Sequence, residues 1–153
     1  MLEQDAQQLN QRFSSQIPMV RQMGLRITAW DERSLRMDAP LAPNLNDKGT
    51  GFAGSLATLA TFAGWAVATL LAEKVVGTPC EAAVFESEIS YRAPVTGDFY
   101  ALVPVPATED IQAFEASLRE RGRARLTLAT TIFQDGVEKV RYRGRYAVRV
   151  RKV

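Results

Sequence analysis

Residues 49–72 read GTGFAGSLATLATFAGWAVATLLA, a run with no charged residue between Lys48 and Glu73. Its length fits a membrane span, which needs about 20 mostly apolar residues. Gly, Ala, Ser and Thr nevertheless supply most of it, and Leu, Val and Phe are a minority. Small residues suit close helix packing in lipid, and a helix apolar nearly all round also suits a protein interior. The flanking sequence decides between the two. Gly77 and Pro79 end the run, which reads as a helix over about residues 51–74.

Working outward, residues 3–15 read as a short polar helix with Leu2, Leu9 and Phe13 free to dock, limited by Pro18. Residues 25–30 and 34–39 alternate apolar and polar around the turn at Asp31, Glu32 and Arg33. That pattern predicts a β-hairpin burying Leu25, Ile27, Leu35 and Met37. After the central run, strands are expected over 82–91, 98–103, 123–133 and 138–150, with a short helix over 109–119. Gln134, Asp135 and Gly136 join the last two strands as a hairpin. Six amphipathic strands, each burying one face, need an apolar body to wrap. The central helix is that body, and no membrane association is expected.

At 153 residues the chain is expected to form a single domain over 1–153, long enough to bury a real core. One cysteine, Cys80, excludes a disulfide framework, and with no histidine a metal site is not expected. Residues 1–8 lack a basic segment followed by an apolar core, so no secretory signal is expected and the expected location is cytoplasmic. The net charge of +2 is uneven: residues 119–153 carry eleven Lys/Arg against three Asp/Glu. A basic end suggests an acidic or phosphate-bearing partner. In the last strand, however, Arg141, Arg143, Arg145, Arg149 and Arg151 alternate with Val140, Tyr142, Tyr146, Val148 and Val150. Such alternation describes a solvated sheet face and leaves no aromatic stacking platform, so nucleic acid is not an expected partner.

Two strands, a long small-residue helix and four further strands follow the order of the α+β hotdog fold, an antiparallel sheet wrapped around a central helix. The run NDKGTGFAGSLATLAT at 46–61 resembles the helix-start segment of phenylacetate-pathway-type acyl-CoA thioesterases, and YRAPVTG at 91–97 resembles a strand end of the same superfamily. Residues 17–150 as a whole resemble the "putative thioesterase" domain of YiiD-type proteins. The resemblance implies an acyl-thioester hydrolase working as a homodimer or dimer of dimers, with acyl-CoA or an acyl carrier protein as partner. No cofactor is implied beyond the coenzyme A moiety of the substrate itself.

Within the motif, Gly49, Gly51 and Gly54 permit tight turns, and a helix N-terminus offers unpaired N–H groups with partial positive charge. The N–H of Ala53 or Gly54 is thus a candidate donor to the oxyanion of a thioester. Asn46 matches the family asparagine that positions water or carbonyl, and equally suits a loop cap. The family's helix acid is replaced by Thr61 and its histidine by Phe52. A threonine hydroxyl orders water but is no general base at neutral pH. Asp47 is a substitute carboxylate, with Glu86 and Glu88 further off. Ser55, Thr58, Thr61, Trp65 and Thr69 share about a third of the helix circumference, a stripe suited to an acyl channel, a partner subunit or hydroxyls bonding back to the helix. Arg92, Arg121, Arg123 and Arg125 are candidates for the CoA phosphates. The competing class is a non-catalytic acyl-thioester binding or dimerisation module, favoured by Thr61.

Overall fold

A computed structural model describes residues 3–152; Leu2 lies outside the described residues. Helices α1 (Gln4–Gln16) and α2 (Pro18–Met23) precede a hairpin of β1 (Arg26–Trp30) and β2 (Ser34–Ala39). A 3-10 turn at Ala42–Asn44 leads to α3 (Ala53–Val76). Then follow β3 (Cys80–Tyr91), β4 (Phe99–Pro104), α4 (Thr108–Arg121), β5 (Arg123–Gln134) and β6 (Val137–Val150). The strands form one antiparallel sheet in the order β1-β2-β4-β5-β6-β3. This is the expected hotdog arrangement, and α3 is its body.

The sheet wraps α3 because α3 has little else to offer water. Leu56, Leu59, Ala60, Ala63, Ala66, Val67, Ala68 and Ala72 are buried, and α3 packs against five of the six strands. Two-thirds of its most apolar stretch is buried within the protein. Each fully buried Leu or Val contributes about 1.5–3 kcal/mol, so this packing dominates the core. Gly77 ends the helix in the left-handed conformation, φ +70°, its N–H bonding the Glu73 carbonyl. The hairpin after β5 turns through Asp135 and Gly136, both at positive φ, as a two-residue connection requires.

Two side-chain contacts fasten α1 across the open end of the sheet. The Asn10 amide donates to the Ile27 carbonyl at 2.8 Å and accepts from its N–H at 2.7 Å, imitating another strand beside β1. Arg12 grips Glu73 with both guanidinium nitrogens, at 3.2 and 3.0 Å, and Glu73 also accepts from the Cys80 N–H. That environment and burial push the Cys80 thiol up to about 11, desolvation first and the Glu73 charge second. Thiolate at pH 8 is then on the order of one part in a thousand. Alkylation of Cys80 should rise about tenfold per pH unit between 8 and 10 and jump on unfolding in urea. Rapid native-state labelling at pH 7.5 would contradict this.

One expectation fails. Five strands bury one face, but β3 does not: from Val84 onward it is exposed or half-exposed throughout. It lies at the sheet edge, paired only to β6, with a bulge between Val84 and Glu86. Register with β6 places Val84, Ile89 and Tyr91 on the inner face, beside Tyr146, Tyr142 and Val140. Val84 and Tyr91 remain 38% and 48% exposed, so α3 leaves this part of the inner face uncovered.

Candidate active site

The segment before α3 is a closed hairpin. The Phe52 N–H donates to the Asn44 carbonyl at 2.8 Å, Leu45 bridges Gly51, and the Asn46 N–H donates to the Thr50 carbonyl at 2.8 Å. Gly49 turns it at φ +75°. Gly51 donates its N–H to the Val95 carbonyl, and a Cβ there would stand 3.0 Å from the Val95 Cβ. The Asn46 amide closes the loop from within: its oxygen accepts from the N–H groups of Lys48 (2.8 Å) and Thr50 (3.0 Å), and its nitrogen donates to Thr50 Oγ1 (2.8 Å). Of the two roles open to Asn46 in the sequence, the fold displays the loop-forming one.

This hairpin delivers the start of α3 to the surface with two donors free. The N–H groups of Ser55 and Leu56 both return to the Phe52 carbonyl, and no side chain caps the helix. Among the described residues, the N–H groups of Ala53 and Gly54 have no acceptor. Helix N-termini attract negative charge, so a developing oxyanion would be held there. Ala53 and Gly54 are exposed, and the Phe52 ring folds over Gly54 so closely that a Cβ would lie 2.5 Å from it. Tyr91, at the end of β3, donates its hydroxyl to the Ala53 carbonyl at 3.3 Å. Leu45, Phe52 and Tyr91 thus form an exposed apolar rim around two unused donors.

The predicted hydroxyl stripe divides. Ser55 and Thr69 are buried, whereas Thr58 and Thr61 are half-exposed on the side of α3 that the sheet leaves open. Thr58, Thr61 and Thr69 each return a bond to the helix carbonyl four residues back, at 2.7–2.8 Å. Trp65 sits in a cluster with Phe13 and Phe62, ring centroids 4.3 and 5.0 Å away, and donates its indole N–H to the Ala82 carbonyl. It therefore anchors β3 and α1 to α3. Asp47 lies exposed in the loop, beside Lys48 at 2.9 Å. Glu86 pairs with Arg145 at 3.4 Å. Arg92 follows Tyr91 directly, while Arg121, Arg123 and Arg125 lie together at the α4–β5 junction, so the four arginines do not form one cluster.

The sequence reading missed what supports Thr61 from below. Tyr146 is fully buried and donates its hydroxyl to the Thr61 carbonyl at 2.7 Å, while Tyr142 meets the Tyr146 hydroxyl at 3.0 Å. Burial, then the neighbouring phenol, raises the Tyr146 pKa, so its hydroxyl stays protonated. Thr130 reaches the preceding carbonyl, of Ala60, at 3.2 Å. Gly64 and Gly144 make room for the rings. The signal present in the sequence was Tyr142 and Tyr146 flanking a glycine on one face of β6.

Residues 6–150 match the family model described as "Putative thioesterase (yiiD_Cterm)". Among solved structures, the chain is similar to a protein of unknown function from Chlorobaculum tepidum TLS, at 32% identity over 97% of this chain and 96% of that one, with a TM-score of 0.89. It is also similar to a protein from Shewanella oneidensis described as a "putative thioesterase", at 31% identity, 95% and 97% coverage and a TM-score of 0.82. A Pseudomonas aeruginosa protein described as a "probable thioesterase" aligns at 25% identity, 95% and 96% coverage and a TM-score of 0.74.

Proposed function

We infer from one premise, that this chain belongs to the "Putative thioesterase (yiiD_Cterm)" family, that it hydrolyses an acyl thioester at the N-terminus of α3. The observation that carries the chemistry is the pair of unpaired N–H groups at Ala53 and Gly54. They hold the thioester oxygen as water adds to the carbonyl carbon, and the tetrahedral intermediate then expels the thiol and leaves the acid. Asp47 is the carboxylate of the same loop and the candidate to take the water's proton; Thr61 lies eight residues along α3 from Ala53, about 12 Å by helical rise, so a hydroxyl ordering that water would come from the Thr61 of a second copy. Arg92, which follows Tyr91 at the end of β3, is our candidate for the phosphate of a phosphopantetheine arm, which acyl-CoA and acyl carrier protein share. Asn46 acts by holding the loop. Asn46→Ala should lower turnover about tenfold or more through misplacement while removing about 1 kcal/mol of stability. Unchanged thiol release by that variant would separate the loop from the chemistry.

The site is completed by a second copy of the chain. The inner face of β3 is left open between its contacts with α3 at Ala82 and Tyr91, and its edge offers unpaired backbone groups, an arrangement that proteins otherwise cover or blunt. A partner seated there shields Val84 and Tyr91 and closes over Thr58 and Thr61. Light scattering should give twice the 16.9 kDa chain mass, and Val84→Lys should shift the protein towards monomer with loss of activity. A wild-type monomer at micromolar concentration would contradict this. The absence of a carboxylate at position 61 specifically favours a second reading, a module that binds acyl thioesters without cleaving them. That reading predicts ligand-induced stabilisation without turnover.

A further inference from the structure

Side-chain hydrogen bonds tie α3 to β3 at two points and leave the strand's inner face uncovered between them. At one end the Tyr91 hydroxyl bonds the Ala53 carbonyl at 3.3 Å, beside the two free N–H groups. At the other the Trp65 indole N–H bonds the Ala82 carbonyl. Trp65 lies twelve residues along α3 from Ala53, about 18 Å by helical rise. Gly54, Ala57 and Thr61 share the helix face that carries Trp65, so this wall is built of small side chains. Opposite it, β3 presents Val84, Ser87 and Ile89. Val84 and Ser87 are exposed, and Ile89 is half-buried. Gly144 of β6 faces Ser87, and the Tyr142 ring lies across it as a floor. Glu86 and Glu88 belong to the other face, opposite Arg145 and Arg143. The result is an uncharged trough with one closed end. There Trp65 is wedged against Phe13 of α1 and Phe62, ring centroids 4.3 and 5.0 Å away. Phe13 is itself fully buried, so the indole cannot swing aside.

We propose that the trough holds the acyl chain with its end against Trp65, which makes Trp65 the residue that sets the longest chain accepted. The proposal rests on the thioesterase reading for the position of the carbonyl, at the Ala53 and Gly54 N–H groups. It adds the acyl class. The helical rise, less the width of the rings at its end, leaves room for an unbranched chain of on the order of ten carbons. Such a chain gains affinity only by burying methylenes, each worth about fourfold, and the second copy supplies the roof that completes their burial. Position 61 fits this use. A carboxylate there would put a charge into the trough, whereas the Thr61 hydroxyl turns back to the Ala57 carbonyl at 2.8 Å and leaves the wall uncharged. The tie at Ala82 fits it too, because it joins the stop to the strand that forms the opposite wall.

The test uses the full chain and S-alkyl coenzyme A thioethers of graded length, which cannot be hydrolysed. Affinity should rise about fourfold per methylene and level off once the chain meets Trp65. The chain has two tryptophans, so Trp30→Phe leaves Trp65 as the sole indole. In that background a bromine at the chain end should quench the fluorescence only for lengths close to the levelling point. Trp65→Phe should admit a further methylene and bind the first chain beyond that point about fourfold more tightly. Ser87→Phe, at an exposed position, should move the levelling point to shorter chains. The proposal is overturned if affinity shows no levelling, if quenching is absent or independent of length, or if Ser87→Phe leaves the levelling point in place. A levelling point that Trp65→Phe does not move, with Trp65 still unquenched, would put the stop elsewhere and overturn it equally. Thioester hydrolysis without a length break would sink the trough alone. A length break without hydrolysis of the matching thioesters would sink the thioesterase reading alone.

Discussion

Replacing Ala53 by proline should lower kcat for thioester hydrolysis about a hundredfold while the melting temperature moves by no more than a few degrees. Ala53 is the first residue of α3, the helix position that proline occupies most readily because its missing N–H has no partner within the helix. Proline also restricts the residue before it to extended conformations. Phe52 is already there, at φ −65° and ψ 129°. The Ala53 carbonyl, which accepts the Tyr91 hydroxyl, survives the change. What disappears is one N–H that the fold does not use. Removing a single oxyanion donor costs other acyl-transfer enzymes 10²–10³ in kcat, about 3–4 kcal/mol. A variant that is well folded and fully active would place the oxyanion elsewhere.

Replacing Gly64 by alanine should destabilise the protein by about 3 kcal/mol, against the trend of helix propensity. In an open helix the change gains about 1 kcal/mol. Here the new Cβ would stand 2.3 Å from the Tyr146 hydroxyl oxygen and 2.8 Å from the ring carbon bearing it. Tyr146 is fully buried and cannot swing aside. Overpacking of this kind costs about 1–3 kcal/mol. Displacing the hydroxyl from the Thr61 carbonyl also leaves buried groups unpaired, a further 1–3 kcal/mol. The steric and polar losses outweigh the propensity gain. The melting temperature should fall by about 6–12 °C at 2–4 °C per kcal/mol; an increase would show that the ring relocates freely.

The fold was legible because its governing features are local. The uncharged run of α3 and the period-two alternation of β6 each follow from a few neighbouring residues, as does the Asp135–Gly136 turn. The unusual state of β3 was not legible. Its alternation predicts a half-buried strand, but burial depends on whether α3 is wide enough to cover it, and the bulge after Val84 breaks the simple period. Helical spacing set Trp65 on one stripe with the threonines, a stripe that the structure divides. It could not show that the indole N–H bonds Ala82 seventeen residues on.

At the site, the glycines and Asn46 stood out because turns have strong residue preferences. The tyrosine support beneath Thr61 did not, because a fit of Tyr146 into Gly64 spans two elements with no common period. The arginines at 121–125 looked like strand-end residues. Only the register, setting Arg123 against Arg149, shows that Arg123 extends the arginine row of β6.

The claim that the start of α3 is a hydrolytic site is tested most directly by thiol release. Purified protein would be assayed against acyl-CoA thioesters of graded chain length and against an acylated carrier protein. Cleavage should exceed the uncatalysed rate for at least one of them and fall about a hundredfold in Ala53→Pro. No release above background from any substrate, with one of them still raising the melting temperature, would contradict it and leave a binding module in place of an enzyme.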